Sequence, residues 1–161
     1  TFKVFQLGSE KIQHEPDFQK YKGKLDLIFT SPPYFNREAY SEDGNQSYKK
    51  YGSSYEAWRE GFLRPTLETC AEYLRTDRYL LWNIADLLVS GRYIPLEDDS
   101  RKILEECGME YQYTLKMALE GMPGQNRMGE DGKPTCKNYC KVNDKYFKYE
   151  PVFVFKKVEK L

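Results

Sequence analysis

A nearly continuous apolar segment that ends at two consecutive prolines constrains the fold more than any other feature of this 161-residue chain. Leu25 to Phe29 (LDLIF) has the length and composition of a strand, and Thr30-Ser31-Pro32-Pro33-Tyr34 follows it directly. Because proline has no backbone N–H to give to a strand ladder, the strand must end before Pro32. We predict a strand buried on both faces, as in a parallel sheet.

Strand-like and helix-like segments alternate along the rest of the chain. Phe2 to Leu7 alternates apolar and polar residues, and the apolar runs 79–84, 111–119 and 151–155 also have strand length. Helices are predicted between the strands: a short one within 11–23, a longer one over 58–74 and one around 96–107. This alternation predicts one α/β domain with a doubly wound, mostly parallel sheet.

Three residues set the ends and bends of the predicted helices. Ser53 followed by Glu56 forms a capping box at the start of the longer helix. Pro65 lies inside that helix and should bend or divide it. Gly108 is placed as the C-terminal cap of the last helix.

Two long segments without regular patterning interrupt this order, at 35–54 and 120–148. Most connections in compact domains are about 4 to 6 residues long, so we interpret both as functional loops. Both combine tyrosines with basic residues, and over 127–148 six basic side chains stand against three acidic ones. Such segments can bind nucleotides and phosphates, although a solvated surface is the alternative for each. The candidate nucleic-acid contacts are Arg37, Lys49, Lys50, Lys137, Lys141 and Lys145.

The polar residues directly after the strands are the candidate site residues, because ligands of open α/β sheets bind at the carboxyl ends of the strands. Ser9 and Glu10 follow the first predicted strand, Ser31 follows the second, and Asn83 lies at the end of the third. Solvation of Glu10 and a capping role for Asn83 are the alternative interpretations.

The segment Ser31 to Tyr34 carries the chemistry. Pro32 and Pro33 fix two φ angles, so the Ser31 hydroxyl and the Pro32 carbonyl form a rigid pair of acceptors beside the Tyr34 ring. Two acceptors aimed at the hydrogens of a nucleobase amino group would localise its lone pair and stabilise the charge that develops as it attacks. The ring would stack on a flipped base. Neither Ser31 nor Tyr34 belongs to the predicted core.

At these residues the chain resembles the amino-group DNA methyltransferases, whose signature is Asp/Asn/Ser-Pro-Pro-Tyr/Phe after a strand. The resemblance extends through 25–29, 55–58, 74–86 and 148–156, and so covers most of residues 1–156. It implies a Rossmann-like methyltransferase fold, S-adenosylmethionine as cofactor, DNA as partner, and a prokaryotic or phage origin. It also implies catalytic roles for Ser31 to Tyr34 and cofactor contacts for Ser9, Glu10 and Asn83.

The chain departs from this family at the cofactor loop. The glycine-rich loop of the family is absent, and Arg75 to Arg78 replaces its usual Lys-Pro-Gly-Gly turn. We therefore expect residues 1–161 to be the catalytic portion of an incomplete methyltransferase domain.

The predicted function is direct methylation of cytosine N4 or adenine N6 in DNA. A catalytically inactive nucleic-acid-binding or scaffold domain is one alternative, and methylation of RNA or of a protein amide is another. The target base, the recognition sequence and a restriction partner stay open.

Composition excludes several other classes of protein. The 25 basic and 25 acidic side chains balance, so nucleic-acid binding needs a local patch. No apolar run approaches the ~20 residues of a membrane span, and four scattered cysteines fit a reducing, cytoplasmic location. Cys136 and Cys140 could supply only two of the four ligands of a structural zinc site, so we predict no metal.

Overall fold

The computed structural model describes residues 2–36, 44, 46–52, 54–119, 128–135 and 137–159. The helices are α1 (Pro16–Gln19), α2 (Ser47–Lys50), α3 (Tyr55–Trp58), α4 (Arg64–Tyr73) and α5 (Leu96–Glu106). The strands are β1 (Leu25–Thr30), β2 (Leu74–Asn83), β3 (Leu87–Val89), β4 (Arg92–Ile94), β5 (Met109–Ala118), β6 (Tyr139–Val142) and β7 (Lys145–Lys157). None of the helices in these ranges is long and apolar enough to cross a membrane.

The main sheet has the order β1-β2-β7-β5, with β6 paired to the start of β7. β1 and β2 are parallel, whereas β7 runs antiparallel to both β2 and β5. The strands β1, β2 and β5 therefore run in the same direction. β7 lies between β2 and β5 and runs in the opposite direction. The predicted α/β class is confirmed, but the sheet is mixed rather than mostly parallel, because the chain returns through the β6–β7 hairpin.

The two faces of this sheet differ in burial. Leu80, Trp82 and Phe155 project from one face into a core formed with α4 and α5, and each is at most 1% exposed. On the opposite face, Leu27 is 59% and Phe29 61% exposed. The prediction that β1 is buried on both faces is therefore wrong, because the helices of the described segments leave its second face exposed.

The segment before α4 follows the predicted helix with one correction at its start. Ser54 caps α3, because its hydroxyl accepts a hydrogen bond from the Ala57 N–H at 3.1 Å, and Ser53 lies outside the described residues. The helical backbone continues through Pro65, but its α-helical pattern is interrupted: a π-helical turn spans Arg59–Leu63, and α4 begins with Pro65 in its first turn. Gly108, with φ of 79°, follows α5 as the predicted cap.

Residues 2–7 form no strand, so that prediction is wrong. An extended segment becomes a strand only when a neighbour completes its ladder, and every ladder among the described residues is formed by other segments. The short helix predicted within 11–23 is confirmed as a 3-10 turn, Ile12–His14, followed by α1.

Candidate functional site

The Ser31 motif lies at the carboxyl edge of the sheet. Thr30 of β1 is paired in register with Trp82 of β2, so the next residues, Ser31 and Asn83, are neighbours at this edge. Ser31 is exposed while Pro32 is buried. The strand and the two prolines thus hold one hydroxyl toward solvent at a fixed position.

A tight turn closes the motif. The Phe35 N–H donates to the Pro33 carbonyl at 3.1 Å, and Phe35 has φ of 48°, a left-handed conformation that is uncommon for a side chain of this size. Phe35 is 5% exposed and makes edge contacts with Tyr55 and Trp58 at centroid distances of 5.8 and 5.6 Å. Core packing compensates the backbone strain and fixes the exit of the chain from the motif.

Tyr34 is part of the core, contrary to the sequence analysis. It is 8% exposed and belongs to the same buried cluster as Trp58, Ile84 and Leu87. A surface aromatic residue and a core residue look the same in a short motif, because burial is decided by the distant elements that cover it. Truncation of Tyr34 would therefore affect folding as well as the site.

A pocket of about 460 Å³ adjoins the motif. Two predicted cofactor residues, Ser9 and Glu10, line it together with Pro33 of the motif and Phe62. The Ser9 hydroxyl is 3.0 Å from the Thr66 hydroxyl, which ties this wall to α4. The structure therefore brings Ser9 and Glu10 together with the motif.

Glu10 is the electrostatic centre of this pocket. It is 6% exposed, and its Oε1 accepts hydrogen bonds from the Tyr51 hydroxyl at 2.6 Å and the Lys50 ammonium at 3.0 Å. Burial alone would raise the pKa of Glu10, but these two hydrogen bonds and the Lys50 charge outweigh it and lower the pKa below its usual value of 4.5. The same pair raises the pKa of Lys50. Glu10 is thus held ionised in the pocket wall.

Gly8 makes this arrangement possible. A Cβ at this position would lie 2.3 Å from Glu10 Oε2, which is far inside van der Waals contact. Any residue other than glycine would require the Glu10 carboxylate to shift from this position.

Asn83, the third predicted cofactor residue, is buried and structurally engaged. It is 3% exposed, and its side-chain amide donates to the Pro151 carbonyl at 3.0 Å. Its side chain therefore joins β2 to β7 at the carboxyl edge beside Ser31.

A second cluster of charged residues lies just after β2. The Asp86 N–H donates to the Glu97 carboxylate and the Glu97 N–H donates to the Asp86 carboxylate, both at 3.0 Å. The other Asp86 oxygen accepts from Lys137 at 2.8 Å, and the Lys137 ammonium lies 4.6 Å from the centroid of the Tyr93 ring. Burial is the main reason that the pKa of Glu97 is raised.

The predicted nucleic-acid contacts divide into two groups. Lys50 and Lys137 pair with the nearly buried carboxylates of Glu10 and Asp86, whereas Lys141 pairs with the highly exposed Asp144 at 3.0 Å and Lys145 is exposed. Lys49 is exposed, with its ammonium 5.9 Å from the Tyr48 ring centroid. Arg37 lies outside the described residues, as does Cys136 of the zinc alternative. No group of three or more metal-ligating side chains occurs within the ranges that the structure describes.

Sequence reasoning missed Glu97 and the contact of Tyr51 with Glu10, which complete the two charged clusters; it assigned Tyr51 only to a nucleotide-binding loop. For Tyr51 the signal was weak, since it is one of three tyrosines in the first loop. For Glu97 a signal existed: acidic residues at 86 and 97 flank a short segment with Ser90-Gly91 at its centre, a typical hairpin turn.

Comparison with known proteins gives one relative by sequence. The chain is 27% identical over 164 aligned residues to the Type II beta methyltransferase M.BslI of Bacillus sp. (strain NEB-606). The alignment covers 93% of this chain and 16% of that protein, so the chain spans about a sixth of its relative. No protein-family model matches the chain.

Solved structures of a Thermus thermophilus protein described as a DNA modification methylase have a similar fold. Its selenomethionine derivative superimposes with a TM-score of 0.55 at 16% identity, over 95% of this chain and 51% of that one. Its complex with S-adenosyl-L-methionine gives 0.56 at 16% identity, over 96% and 55%. These comparisons confirm the resemblance to DNA methyltransferases and the fold class predicted from the sequence. The chain spans about half of these structures.

Proposed function

We propose that residues 1–161 are the catalytic portion of a DNA methyltransferase that transfers the methyl group of S-adenosylmethionine to an exocyclic amino group, cytosine N4 or adenine N6. The position of Ser31 carries this proposal: an exposed hydroxyl at the carboxyl end of β1, fixed by two prolines, beside a pocket of about 460 Å³. The similarity to M.BslI and to the Thermus thermophilus methylase supports the same class of reaction.

Ser31 and Pro32 prepare the nucleophile in this proposal. The amino nitrogen of a base is a poor nucleophile because its lone pair is delocalised into the ring. The Ser31 hydroxyl oxygen and the Pro32 carbonyl accept hydrogen bonds from its two N–H groups, which localises the lone pair and stabilises the positive charge that develops. The nitrogen–methyl bond forms as the sulfur–methyl bond breaks, which leaves a neutral thioether, and one N–H proton then passes to solvent. Since their positions are set before the base arrives, little reorganisation is needed during the reaction.

The pocket fits the adenosine part of S-adenosylmethionine, which when bound supplies an electrophilic methyl group. Glu10 is an ionised acceptor in the pocket wall and suits ribose hydroxyls, while Pro33 and Phe62 offer apolar surface. We assign Ser9 and Glu10 to cofactor contact. Asn83 acts through the backbone of β7, since its amide is bonded to Pro151.

The proposal is tested by measuring methyl transfer to DNA by the full-length protein that the gene encodes. Ser31→Ala should lower the rate of tritiated-methyl transfer to DNA on the order of a hundredfold, because one preorganised acceptor is lost. Thr76→Ala is the matched control, since it removes a hydroxyl near the opposite end of the neighbouring strand β2. Wild-type activity in Ser31→Ala would remove Ser31 from the mechanism.

The product identifies the acceptor atom. The methylated DNA is digested to nucleosides, and mass spectrometry should identify N4-methylcytosine or N6-methyladenine among them. 5-Methylcytosine would contradict the amino-group mechanism. Absence of methyl transfer to DNA by the wild-type protein would overturn the proposal and favour the scaffold alternative.

A further inference from the structure

The β6–β7 hairpin extends beyond the edge of the sheet that carries Ser31. Asn83, the last residue of β2, is paired with Val152 of β7, but β7 begins seven residues earlier, at Lys145. The first half of β7 therefore has no part of β2 beside it. At about 3.4 Å per residue, this half and its partner β6 form a ribbon that reaches about 20 Å past the carboxyl edge.

The peptide between Lys148 and Tyr149 shows on which side of β7 the strand β6 lies. Its carbonyl accepts from the Leu119 N–H at 2.9 Å, and its N–H donates to the Asn138 carbonyl at 2.8 Å. Because the two groups of a trans peptide point in opposite directions, β5 and β6 lie on opposite sides of β7. β6 is thus on the side of β2, which is the side nearer to Ser31.

The two faces of this ribbon differ in chemistry. On one face, lysine and tyrosine alternate across the strands, because Lys141 is paired with Tyr146 and Tyr139 with Lys148. The Lys141 ammonium lies 6.0 Å from the centroid of the Tyr146 ring. This face, which we call the Lys/Tyr face, therefore presents four hydrogen-bonding side chains. The opposite face carries one lysine and three apolar side chains: Lys145, Val142, Cys140 and Phe147.

The lysines of the ribbon differ in their partners. Lys141 is paired with Asp144 at 3.0 Å, although the Asp144 side chain is 96% exposed. Lys145 and Lys148 take part in none of the ion pairs found among the described residues. The next acidic residue on the Lys/Tyr face, Glu150, lies at the base of the ribbon, opposite Met117 of β5. The protruding part thus offers two unpaired cations, which favours a polyanion as its partner.

We propose that the ribbon lies in the major groove of DNA beside the target base and that Lys148 determines sequence specificity there by contacting a guanine; this rests on the proposed function. The major groove has room for a two-stranded β-ribbon, and a lysine ammonium can donate to both O6 and N7 of guanine. Lys145 and Lys141, nearer the tip, contact phosphates.

The register of the sheet places this guanine relative to the target. Lys148 lies four residues beyond Val152, which is about 13 Å past the edge, and β7 is two strands away from β1, which is about 10 Å. These lengths combine to about 16 Å from the end of β1. Since base pairs are stacked about 3.4 Å apart, the guanine should lie within about five base pairs of the methylated base.

The sequence context of methylation tests the ribbon. The full-length protein methylates unmethylated genomic DNA of known sequence, and single-molecule sequencing locates the methylated bases. The wild-type protein should require a guanine at one position within about five base pairs of the methylated base. Lys148→Gln should lower the preference for that guanine about tenfold and favour adenine, which glutamine contacts in the major groove, while the other positions stay unchanged.

Dimethyl sulfate protection gives a second readout that does not depend on methyl transfer. The reagent modifies guanine N7, which lies in the major groove. The wild-type protein bound to its site should protect the guanine at the predicted position, and Lys148→Gln should leave it reactive.

Two further lysine variants serve as matched controls. Lys102→Gln removes an exposed lysine from α5 and should keep both the sequence context and the protection. Lys145→Gln should weaken binding to all sequences equally without a change in context, because a phosphate contact carries no sequence information.

The outcomes separate the two proposals. Methylation by the wild-type protein without a guanine in this span, or an unchanged context in Lys148→Gln, overturns the ribbon and leaves the methyltransferase proposal standing. Loss of the context in Lys102→Gln as well also overturns the ribbon. If Lys148→Gln transfers no methyl groups, the protection assay decides, and a guanine that is still protected overturns the ribbon. Absence of methyl transfer by the wild-type protein contradicts both proposals.

Discussion

Two lysine–carboxylate pairs join the two long loops to other parts of the chain, one at Glu10 in the pocket wall and one at Asp86 after β2, and they differ in their access to water. In the Glu10 pair, the Glu10 side chain is 5% and Lys50 29% exposed. In the Asp86 pair, the Asp86 side chain is 9% but Lys137 52% exposed. Both carboxylates are nearly buried, so the difference lies in the cation.

This difference assigns the pairs different roles. Lys50 and Tyr51 both bond to Glu10, and together they attach the loop of 35–54 to the pocket wall. Lys137 bonds to Asp86 from a half-exposed position and attaches the second loop to the base of the β3–β4 hairpin. We infer that the Glu10 pair stabilises the pocket. In the Asp86 pair, the Lys137 ammonium can instead leave the carboxylate and be hydrated by water.

The largest expected effect is a difference in the free energy of unfolding between variants that remove Glu10 and Asp86. Glu10→Ala should lower the free energy of unfolding by about 2–4 kcal/mol, because it leaves Lys50 and Tyr51 without their buried acceptor. Asp86→Ala should cost about 1–2 kcal/mol: water can replace the carboxylate at Lys137, and the main loss is the acceptor of the Glu97 N–H. Urea unfolding of the two variants and the wild-type chain measures the difference.

Glu10→Gln is the matched control for this comparison. The amide oxygen still accepts a hydrogen bond from Tyr51 but lacks the charge that pairs with Lys50. The loss of unfolding free energy in Glu10→Gln should therefore lie between zero and the loss in Glu10→Ala. Equal losses in Glu10→Ala and Asp86→Ala would show that exposure of the cation does not distinguish the pairs.

The same comparison shows what could be predicted from the sequence. The β1 strand, the interruption of the α-helical pattern near Pro65 and the Gly108 cap were predictable because each depends on a local property: apolar content, a missing N–H or a positive φ. The position of Ser31 at a strand end followed from the adjacent prolines. These features need no knowledge of distant residues.

The features that were wrong or missed depend on contacts between distant segments. The ion pairs of Lys50 and Lys137 were missed because their carboxylate partners lie 40 and 51 residues away, while a DNA contact by either lysine stays a prediction. Tyr34 is buried by the cluster that includes Ile84 and Leu87. The reversed direction of β7 depends on the β6–β7 hairpin, which turns at Asn143-Asp144. The sequence analysis places this turn inside the loop of 120–148.

A second prediction sharpens the comparison at the level of DNA binding. Replacing Lys141 and Lys145 by Gln should reduce the slope of log K against log salt by up to about two, since each phosphate contact contributes about 0.9. Replacing Lys50 and Lys137 should change the slope less, because a carboxylate already holds each of them. The Lys141–Asp144 pair is too exposed to retain its lysine in the same way.

Anisotropy titrations between about 50 and 200 mM salt measure both slopes. The two double variants remove the same charge, so any difference between them reflects position alone. Identical slopes would mean that the Glu10 and Asp86 pairs open when DNA binds.

The smallest expected effect is that the contributions of Glu10 and Glu97 to stability change in opposite directions as the pH falls. The pKa of Glu10 is lowered in the folded chain, so its contribution to stability is complete above about pH 4.5 and is lost as the pH falls through the lower folded value. The pKa of Glu97 is raised, chiefly by burial, so the folded chain binds its proton more readily than the unfolded one. Its charge therefore costs stability above the raised value, and acidification toward pH 4.5 removes that cost.

Urea unfolding at a series of pH values from about 3 to 7 separates the two carboxylates. The stability difference between the wild-type chain and Glu10→Gln should shrink as the pH falls below 4.5, because only the wild-type chain loses an ionised Glu10. The difference between the wild-type chain and Glu97→Gln should instead move in favour of the wild-type chain as the pH falls toward 4.5. If both differences changed in the same direction, the carboxylate held by Lys50 and the one at the hairpin base would not be in distinct electrostatic environments.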